Sequence, residues 1–146
     1  MSDKTVAVTA WEALFRAQVS VMRYLNAEFP NAELSLNEYD VLFNLSRQPG
    51  RQSRMKDLNR HLLLTQPSVS RLVDRLTARG LLAKNHDPDD ARGVIVALTD
   101  QGFDLFRRVA RSHIQSIADR VGGTLSPSEL ATLTALCDKL RLADPT

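Results

Sequence analysis

The stretch from Thr65 to Leu76, TQPSVSRLVDRL, has the pattern of an amphipathic helix. Thr65 is a favourable cap, and Pro67 is tolerated in the first turn because its missing N–H would have no helical partner there. Apolar residues recur at three- and four-residue spacing, which is typical of one buried helix face; they are Val69, Leu72, Val73 and Leu76. Gly80 is a typical helix stop. The remaining outer face is polar and carries Gln66, Ser68, Ser70, Arg71 and Arg75.

Two shorter helices are predicted on the N-terminal side of this stretch. Ser35 and Glu38 have the spacing of a capping box, in which each side chain accepts a hydrogen bond from the backbone N–H of the other residue. Pro49-Gly50 ends the helix that they begin. Residues 53 to about 61 have the apolar spacing of a further helix. The central order is therefore helix, helix, tight turn and helix.

A hairpin is predicted after the third of these helices. Leu81–Asn85 and Val94–Leu98 are short apolar runs whose length and composition favour strands. The segment between them, residues 86–93 or HDPDDARG, contains a proline and short acidic side chains that favour a turn. We therefore expect an antiparallel hairpin with this segment as its loop and Arg92 at the loop tip. Asp90 is expected to accept a hydrogen bond from the Arg92 guanidinium and so to aim it outward.

Three further helices are predicted outside this central part. Thr9 and Glu12 have the capping-box spacing and begin a helix that Pro30 ends, Thr99-Asp100 begins a long helix that extends to Gly122-Gly123, and Ser126 begins the last one. These helices carry broad apolar stripes, more than the small central helices can cover. The 146 residues contain no repeat or linker, so we expect a single unit over residues 1–146.

Composition narrows the class of protein. No apolar run approaches the roughly 20 residues needed to cross a bilayer, and the first residues lack a signal-peptide pattern, so we expect a soluble, cytoplasmic protein without a membrane partner. The single cysteine, Cys137, forms no disulfide within the chain. It falls on the apolar stripe of the last helix, where we expect inert packing rather than redox sensing.

The central third of the chain is its basic part. Residues 51–92 contain nine Lys or Arg and five Asp, whereas the net charge of the whole chain is only +2. A local excess of positive charge indicates a polyanionic partner, although a solvated basic face would give the same count.

The predicted order of elements is that of a winged helix-turn-helix, so we expect a mainly α fold with a small β-hairpin wing at residues 35–99. In this arrangement the second helix of the pair enters the major groove of double-stranded DNA, and the hairpin reaches the backbone or the minor groove. Base contacts are expected from Gln66, Ser68, Ser70 and Arg71, phosphate contacts from Arg75, Arg54 and Lys56, and a minor-groove contact from Arg92. A solvated helix face is the alternative for the arginines.

Four segments of the chain resemble the MarR family of bacterial transcriptional regulators; they are Thr65–Leu76, Arg79–Leu82, Asp87–Gly93 and Leu98–Gly102. They include the wing signature of that family, Asp-x-Arg followed by Leu-Thr. The resemblance implies a homodimer on a palindromic operator, with the helices at 9–30 and 100–142 forming the dimerisation part. By family analogy, it also implies an effector-responsive repressor.

Relatives in this family bind small aromatic or carboxylate effectors, and urate-responsive members place a tryptophan early in the chain. The resemblance therefore suggests an effector pocket with Trp11, Arg16 and His113. The alternative for Trp11 and His113 is the apolar core of the dimer. The alternative for Arg16 is an ordinary helical ion pair with Glu12.

Other functions have less support in the sequence. The acids and histidine of residues 86–90 lack the glycine and terminal glutamate of a calcium loop, so no metal site is predicted. No phosphate-binding Gly-rich loop, nucleophile elbow or helical His/Glu metal pair is present, which argues against an enzyme and against a cofactor. A winged helix that binds a protein instead of DNA is the remaining alternative, and salt dependence of duplex binding would distinguish the two.

Overall fold

Six α-helices and three β-strands form the described part of the chain, residues 2–62 and 64–143, in the computed structural model. The helices are α1 (Asp3–Glu28), α2 (Leu36–Ser46), α3 (Met55–Arg60), α4 (Gln66–Ala78), α5 (Asp100–Ile117) and α6 (Pro127–Leu142). The strands are β1 (Gln52–Arg54), β2 (Leu82–Asp87) and β3 (Asp90–Leu98). A 3-10 turn at Pro49–Arg51 precedes β1, and a π-helical turn at Ala118–Gly122 follows α5. The predicted mainly α fold with a small β wing is confirmed.

The chain divides into two compact units. The central unit comprises residues 30–112 and contains α2, the three strands, α3, α4 and most of α5. The terminal unit comprises residues 2–29 and 113–143, with α1, the end of α5 and α6. None of the helices in the described residues has the length and apolar character required to cross a membrane.

The core of the central unit is built around α4. The four apolar positions predicted for its inner face, Val69, Leu72, Val73 and Leu76, are all buried. They pack in a core whose most deeply buried side chains also include Val41, Leu42, Leu45, Leu58 and Val96. Burial of each such side chain contributes about 1.5–3 kcal/mol. The inner face of α4 is thereby fixed, and its polar face is left toward solvent.

The sheet has the strand order β1-β3-β2 and is antiparallel throughout. Residues 53 and 54 are predicted to be helical, but Ser53 pairs with Val96 and Arg54 with Ile95, and α3 begins only at Met55. The prediction was wrong because these pairs are non-local: β3 supplies the backbone partners, and no local pattern reveals them.

The hairpin is longer than predicted. Leu82 pairs with Leu98 at its base, and β2 extends to Asp87 while β3 begins at Asp90. The turn is therefore confined to Pro88-Asp89. The expected eight-residue loop is wrong because strand pairing continues through its flanks, and Arg92 lies in β3, not at the tip.

Several predicted helix caps are confirmed, and one is wrong. Ser35 and Ser126 form complete capping boxes, and Thr65 accepts a hydrogen bond from the backbone N–H of Ser68. Thr9, however, lies inside α1, which begins at Asp3 with Ser2 as its cap. Ser2 accepts a hydrogen bond from the N–H of Thr5 in the first turn, so the helix starts about two turns earlier than the Thr9 pattern predicts.

Thr99 joins the end of β3 to the segment that follows α4. Its hydroxyl lies 2.7 Å from the carbonyl oxygen of Gly80 and 3.0 Å from that of Leu81, and it accepts a hydrogen bond from the N–H of Gly102 at 3.0 Å. Gly80 itself ends α4 with a φ of 78°, a left-handed conformation that favours glycine. One side chain thus connects three stretches of backbone.

The terminal unit leaves a wide apolar surface open in the single chain. α6 has no buried residue, and Cys137, which was expected to be buried on its inner stripe, is exposed. That prediction was wrong for one chain because the described residues leave this face of α6 uncovered. The exposed large apolar side chains of this unit are Val6, Val8, Trp11, Phe15, Val19, Ile114, Ile117, Leu133, Leu136, Leu140 and Leu142.

Burial shifts the pKa values of Asp40 and His113 in opposite directions. Desolvation raises the pKa of Asp40 to about 6 and lowers the pKa of His113. A raised carboxyl pKa means that Asp40 favours the folded state below its ordinary pKa and loses that contribution as the pH rises through about 6. A lowered imidazole pKa means that His113 disfavours the folded state as the pH falls below its ordinary value.

Replacement of Gly102 by alanine tests the packing of α5 against the segment after α4. A Cβ at this position would overlap the carbonyl oxygen of Leu81 and lie 2.9 Å from Cδ1 of Leu98. We expect Gly102→Ala to lower the free energy of unfolding by about 2 kcal/mol, measured by urea denaturation. Gly122→Ala is the matched control because nothing lies within 4 Å of its Cβ position. A similar free energy of unfolding for both variants would contradict the packing described.

Candidate nucleic-acid interface

α4 presents a polar face that is organised from its first turn. The hydroxyl of Thr65 donates to Oγ of Ser68 at 2.8 Å, and Nη2 of Arg71 donates to the same oxygen at 3.4 Å. Gln66, Arg71 and Arg75 are exposed, whereas Ser68 and Ser70 are half-buried. The helix therefore offers amide, hydroxyl and guanidinium groups to solvent, which are the groups that hydrogen-bond to base edges and phosphates.

A cleft of about 240 Å³ is lined by the start of α4, the start of α3 and the wing. Four of the predicted DNA contacts line it, Arg54, Lys56, Gln66 and Arg92, and Asp90 lines it as well. The other predicted contacts, Ser68, Ser70, Arg71 and Arg75, follow along α4. The structure thus places residues from three separate segments of the sequence around one depression.

The acidic side chains of the wing accept hydrogen bonds from the backbone of the wing. Oδ1 of Asp87 accepts a hydrogen bond from the N–H of Asp89 at 2.9 Å, and Oδ1 of Asp90 accepts from the N–H of Arg92 at 3.0 Å. Asp90 was expected to bind the guanidinium of Arg92. It binds the backbone N–H instead, because an aspartate two residues before an N–H is placed for this local turn. The Arg92 side chain is exposed.

Arg54 is bound to the wing. Its Nε lies 2.8 Å from Oδ2 of Asp87, and its Nη2 lies 3.7 Å from Oδ2 of Asp89. The Asp87 side chain is only 2% exposed, whereas that of Arg54 is 42% exposed. The role of Asp87 was not predicted from the sequence, because its carboxylate is buried beside a register shift between His86 and Asp87 that no local pattern marks.

A second ion pair connects the wing to α4. The ammonium of Lys84 in β2 contacts Oδ1 of Asp74 in α4. This pair was not predicted from the sequence, because the proximity of the two residues depends on how β2 packs on α4. Asp74 is thus engaged by the wing, next to the exposed Arg71 and Arg75 on the same helix.

The three candidates for an effector pocket lie in different surroundings in one chain. Trp11 is 60% exposed and its ring is 5.7 Å from that of Phe15, whereas His113 is buried with its ring edge-on to Phe29 at 5.2 Å. Trp11 precedes Phe29 by 18 residues, about 27 Å along a helix axis. A single chain therefore does not bring Trp11 and His113 to one small ligand.

Arg16 lines an open groove along α1. The groove has a volume of about 370 Å³ and is lined by Phe15, Arg16, Val19, Ser20 and Arg23. Arg16 and Arg23 give this groove two guanidinium groups beside apolar side chains, a combination suited to an anion with an apolar body. Within the described ranges, no group of three or more His, Cys, Asp or Glu side chains is placed to hold a metal ion.

Comparison with known sequences gives one consistent family. The MarR family matches residues 32–93. The chain is 32% identical over 129 residues to the HTH-type transcriptional regulator PecS of Dickeya dadantii (strain 3937), covering 87% of this chain and 76% of PecS. It is 29% identical over 134 residues to the uncharacterized HTH-type transcriptional regulator YkoM of Bacillus subtilis (strain 168), covering 91% of this chain and 84% of YkoM.

Comparison with solved structures gives the same family. Sco3205 from Streptomyces coelicolor, a MarR family transcriptional regulator in complex with DNA, is similar with a TM-score of 0.78 and 25% identity, over 97% of this chain and 88% of that one. BpsR of Bordetella bronchiseptica, whose DNA binding is regulated by 6-hydroxynicotinic acid, is similar with a TM-score of 0.75 and 29% identity, over 91% of this chain and 93% of that one.

Proposed function

The chain belongs to the MarR family of transcriptional regulators, and from this premise we propose that it binds a palindromic DNA operator as a homodimer. The proposed dimer represses transcription in the cytoplasm until a small effector releases it. Sco3205, which is similar over nearly the whole chain, supports DNA as the partner because it has been solved in complex with DNA.

The observation that carries the proposal is the placement of α4. Its apolar stripe is buried and its polar face is exposed, with a capped first turn. A helix fits the major groove of B-DNA, and its N-terminal residues usually meet the base edges. We assign base contacts to Gln66, Ser68, Ser70 and Arg71, and phosphate contacts to Arg75 and Lys56.

The wing supports the same function. Arg92 is exposed on β3 and lines the cleft that reaches the start of α4. With α4 in the major groove, a guanidinium in this position can reach across the DNA backbone into the adjacent minor groove. The negative potential of the minor groove is strongest where the groove is narrow, over A·T-rich sequence. The excess of positive charge over residues 51–92 favours association with the phosphate backbone.

A second copy of the chain is the proposed cover for the apolar surface of the terminal unit. Trp11 and Leu136 are about 60% exposed, and Leu140 and Leu142 are more exposed still. Exposed large apolar side chains in this number are costly in water and indicate an interface. A twofold dimer would also present two copies of α4 to half-sites about one helical turn apart.

The proposed effector is a small aromatic carboxylate. BpsR responds to 6-hydroxynicotinic acid, and the groove on α1 combines Arg16 and Arg23 with apolar side chains. Since Trp11 and His113 lie far apart along one chain, a pocket with both would take Trp11 from one subunit and His113 from the other. Arg16 would then pair with the carboxylate of the effector.

Selection of duplexes from a random DNA library tests the DNA-binding proposal. We expect an enriched inverted repeat. Arg71→Ala should weaken binding to it by about 1–3 kcal/mol and relax the preference at one position of each half-site, because a base contact is lost. Arg141→Ala, which removes an exposed positive charge on α6, is the control and should leave sequence preference unchanged. No enrichment at low salt would instead indicate a protein-binding winged helix.

The oligomeric state tests the role of the terminal unit. We expect wild-type protein to sediment at twice the chain mass of 16.3 kDa. Leu136→Glu should shift the equilibrium to monomer and weaken operator binding, because it buries a charge in the interface. Ser128→Glu adds the same charge in the first turn of α6, where a negative charge is favourable, and should leave the dimer intact. A folded wild-type monomer at working concentration would refute the dimer.

Fluorescence of Trp11, the single tryptophan of the chain, tests the effector proposal directly. We expect 6-hydroxynicotinic acid or a related aromatic carboxylate to change this fluorescence and to lower operator affinity over the same concentration range. Arg16→Ala should abolish both responses, since the carboxylate loses its partner, whereas Arg141→Ala should preserve them. A full response in Arg16→Ala would remove Arg16 from the pocket.

A further inference from the structure

The tip of the wing extends beyond the support of β1. β1 pairs with β3 only from Arg54, opposite Ile95, to Gln52, opposite Ala97. Residues 86–94 therefore form a two-stranded projection that carries Arg92. An isolated two-stranded hairpin is marginally stable, so its direction needs a further contact.

Arg54 supplies that contact from the end of β1. Its Nε is 2.8 Å from Oδ2 of Asp87 on the far strand β2, and Nη2 is 3.7 Å from Oδ2 of Asp89 in the turn. The Asp87 carboxylate is almost fully buried, so this ion pair is shielded from solvent on one side. A buried carboxylate that lost its cation would be strongly disfavoured.

Gly93 makes room for this pair. A Cβ at position 93 would lie 3.0 Å from Cβ of Asp87 and 3.2 Å from Oδ2, the oxygen that receives Arg54. A side chain at position 93 would therefore crowd the Asp87 side chain, and the glycine allows this close approach. Three residues, Arg54, Asp87 and Gly93, form one arrangement across the three strands.

We propose that Arg54 is a positioning residue that acts through Asp87 to fix the projecting wing, and with it Arg92, in the orientation required for DNA. This inference rests on the proposed function and replaces the phosphate contact expected for Arg54 from the sequence. Arg54 remains partly exposed and lines the same cleft as Arg92, so a direct DNA contact is the competing explanation.

The two explanations predict opposite changes in DNA affinity for Asp87→Asn. Asparagine keeps Oδ1 as the acceptor for the N–H of Asp89 but replaces Oδ2 by an NH₂ group, which repels the Nε–H of Arg54. If Arg54 binds phosphate directly, its release and the loss of one negative charge should tighten DNA binding. If Arg54 positions the wing, binding should weaken.

The experiment measures affinity for the inverted repeat recovered from the random library. We expect Asp87→Asn to bind about tenfold more weakly, the scale of a lost arginine contact. Asp57→Asn is the matched control, because it removes the same charge from an α3 side chain that is 41% exposed and pairs with Arg60, and it should bind at least as tightly as wild type. Unchanged or tighter binding by Asp87→Asn overturns the inference.

A double-mutant cycle covers the case in which Asp87→Asn fails to fold. In the Arg92→Ala background, we expect Arg54→Ala to weaken DNA binding further by less than about twofold, because both substitutions remove the same contact between the wing and DNA. Multiplicative losses overturn the inference and restore the direct contact. Absence of any duplex binding by wild-type protein would overturn the proposed function as well, whereas specific wild-type binding with multiplicative losses overturns only the role of Arg54.

Discussion

Burial of one face of α4 is the constraint on which the rest of the central unit depends. Val69, Val73 and Leu76 are completely excluded from solvent. A helix held by these side chains cannot rotate without exposing them, so its polar face has a fixed direction. The packing that stabilises the fold is therefore the same packing that presents Gln66 and Arg71, and stability and recognition are properties of opposite sides of one helix.

The wing places acidic residues inside the most basic part of the chain, and the structure explains this by backbone geometry and pairing. Asp87 and Asp90 accept backbone hydrogen bonds that close the turn, and Asp87 also pairs with Arg54. Lys84 and Asp74 form another contact between the wing and α4. Part of the local positive charge is consequently used within the protein, and the side chains that remain exposed, such as Arg71, Arg75 and Arg92, are those most available to DNA.

Local sequence patterns were sufficient for the elements whose stabilising contacts are local. The cap and the apolar stripe of α4 lie within twelve residues, and the capping boxes at Ser35 and Ser126 lie within four. β1 was not predicted because its hydrogen-bond partners lie in β3. The ion pair of Asp87 was not predicted because it depends on the strand pairing around a register shift. The grouping of Arg54, Lys56, Gln66 and Arg92 around one cleft was likewise visible only in three dimensions, although each residue had been selected by its type and position.

The hydroxyl of Thr99 also limits which residues can replace threonine at position 99. It serves the carbonyl groups of Gly80 and Leu81 as well as the N–H of Gly102, within 3.0 Å of each. Valine has nearly the same shape but would remove this hydrogen-bond partner from the carbonyl of Gly80 and the N–H of Gly102, whereas serine retains the hydroxyl. Homologous chains that preserve this junction should therefore vary in side-chain volume at position 99 more readily than in hydrogen-bonding capacity, the reverse of what holds in an apolar core.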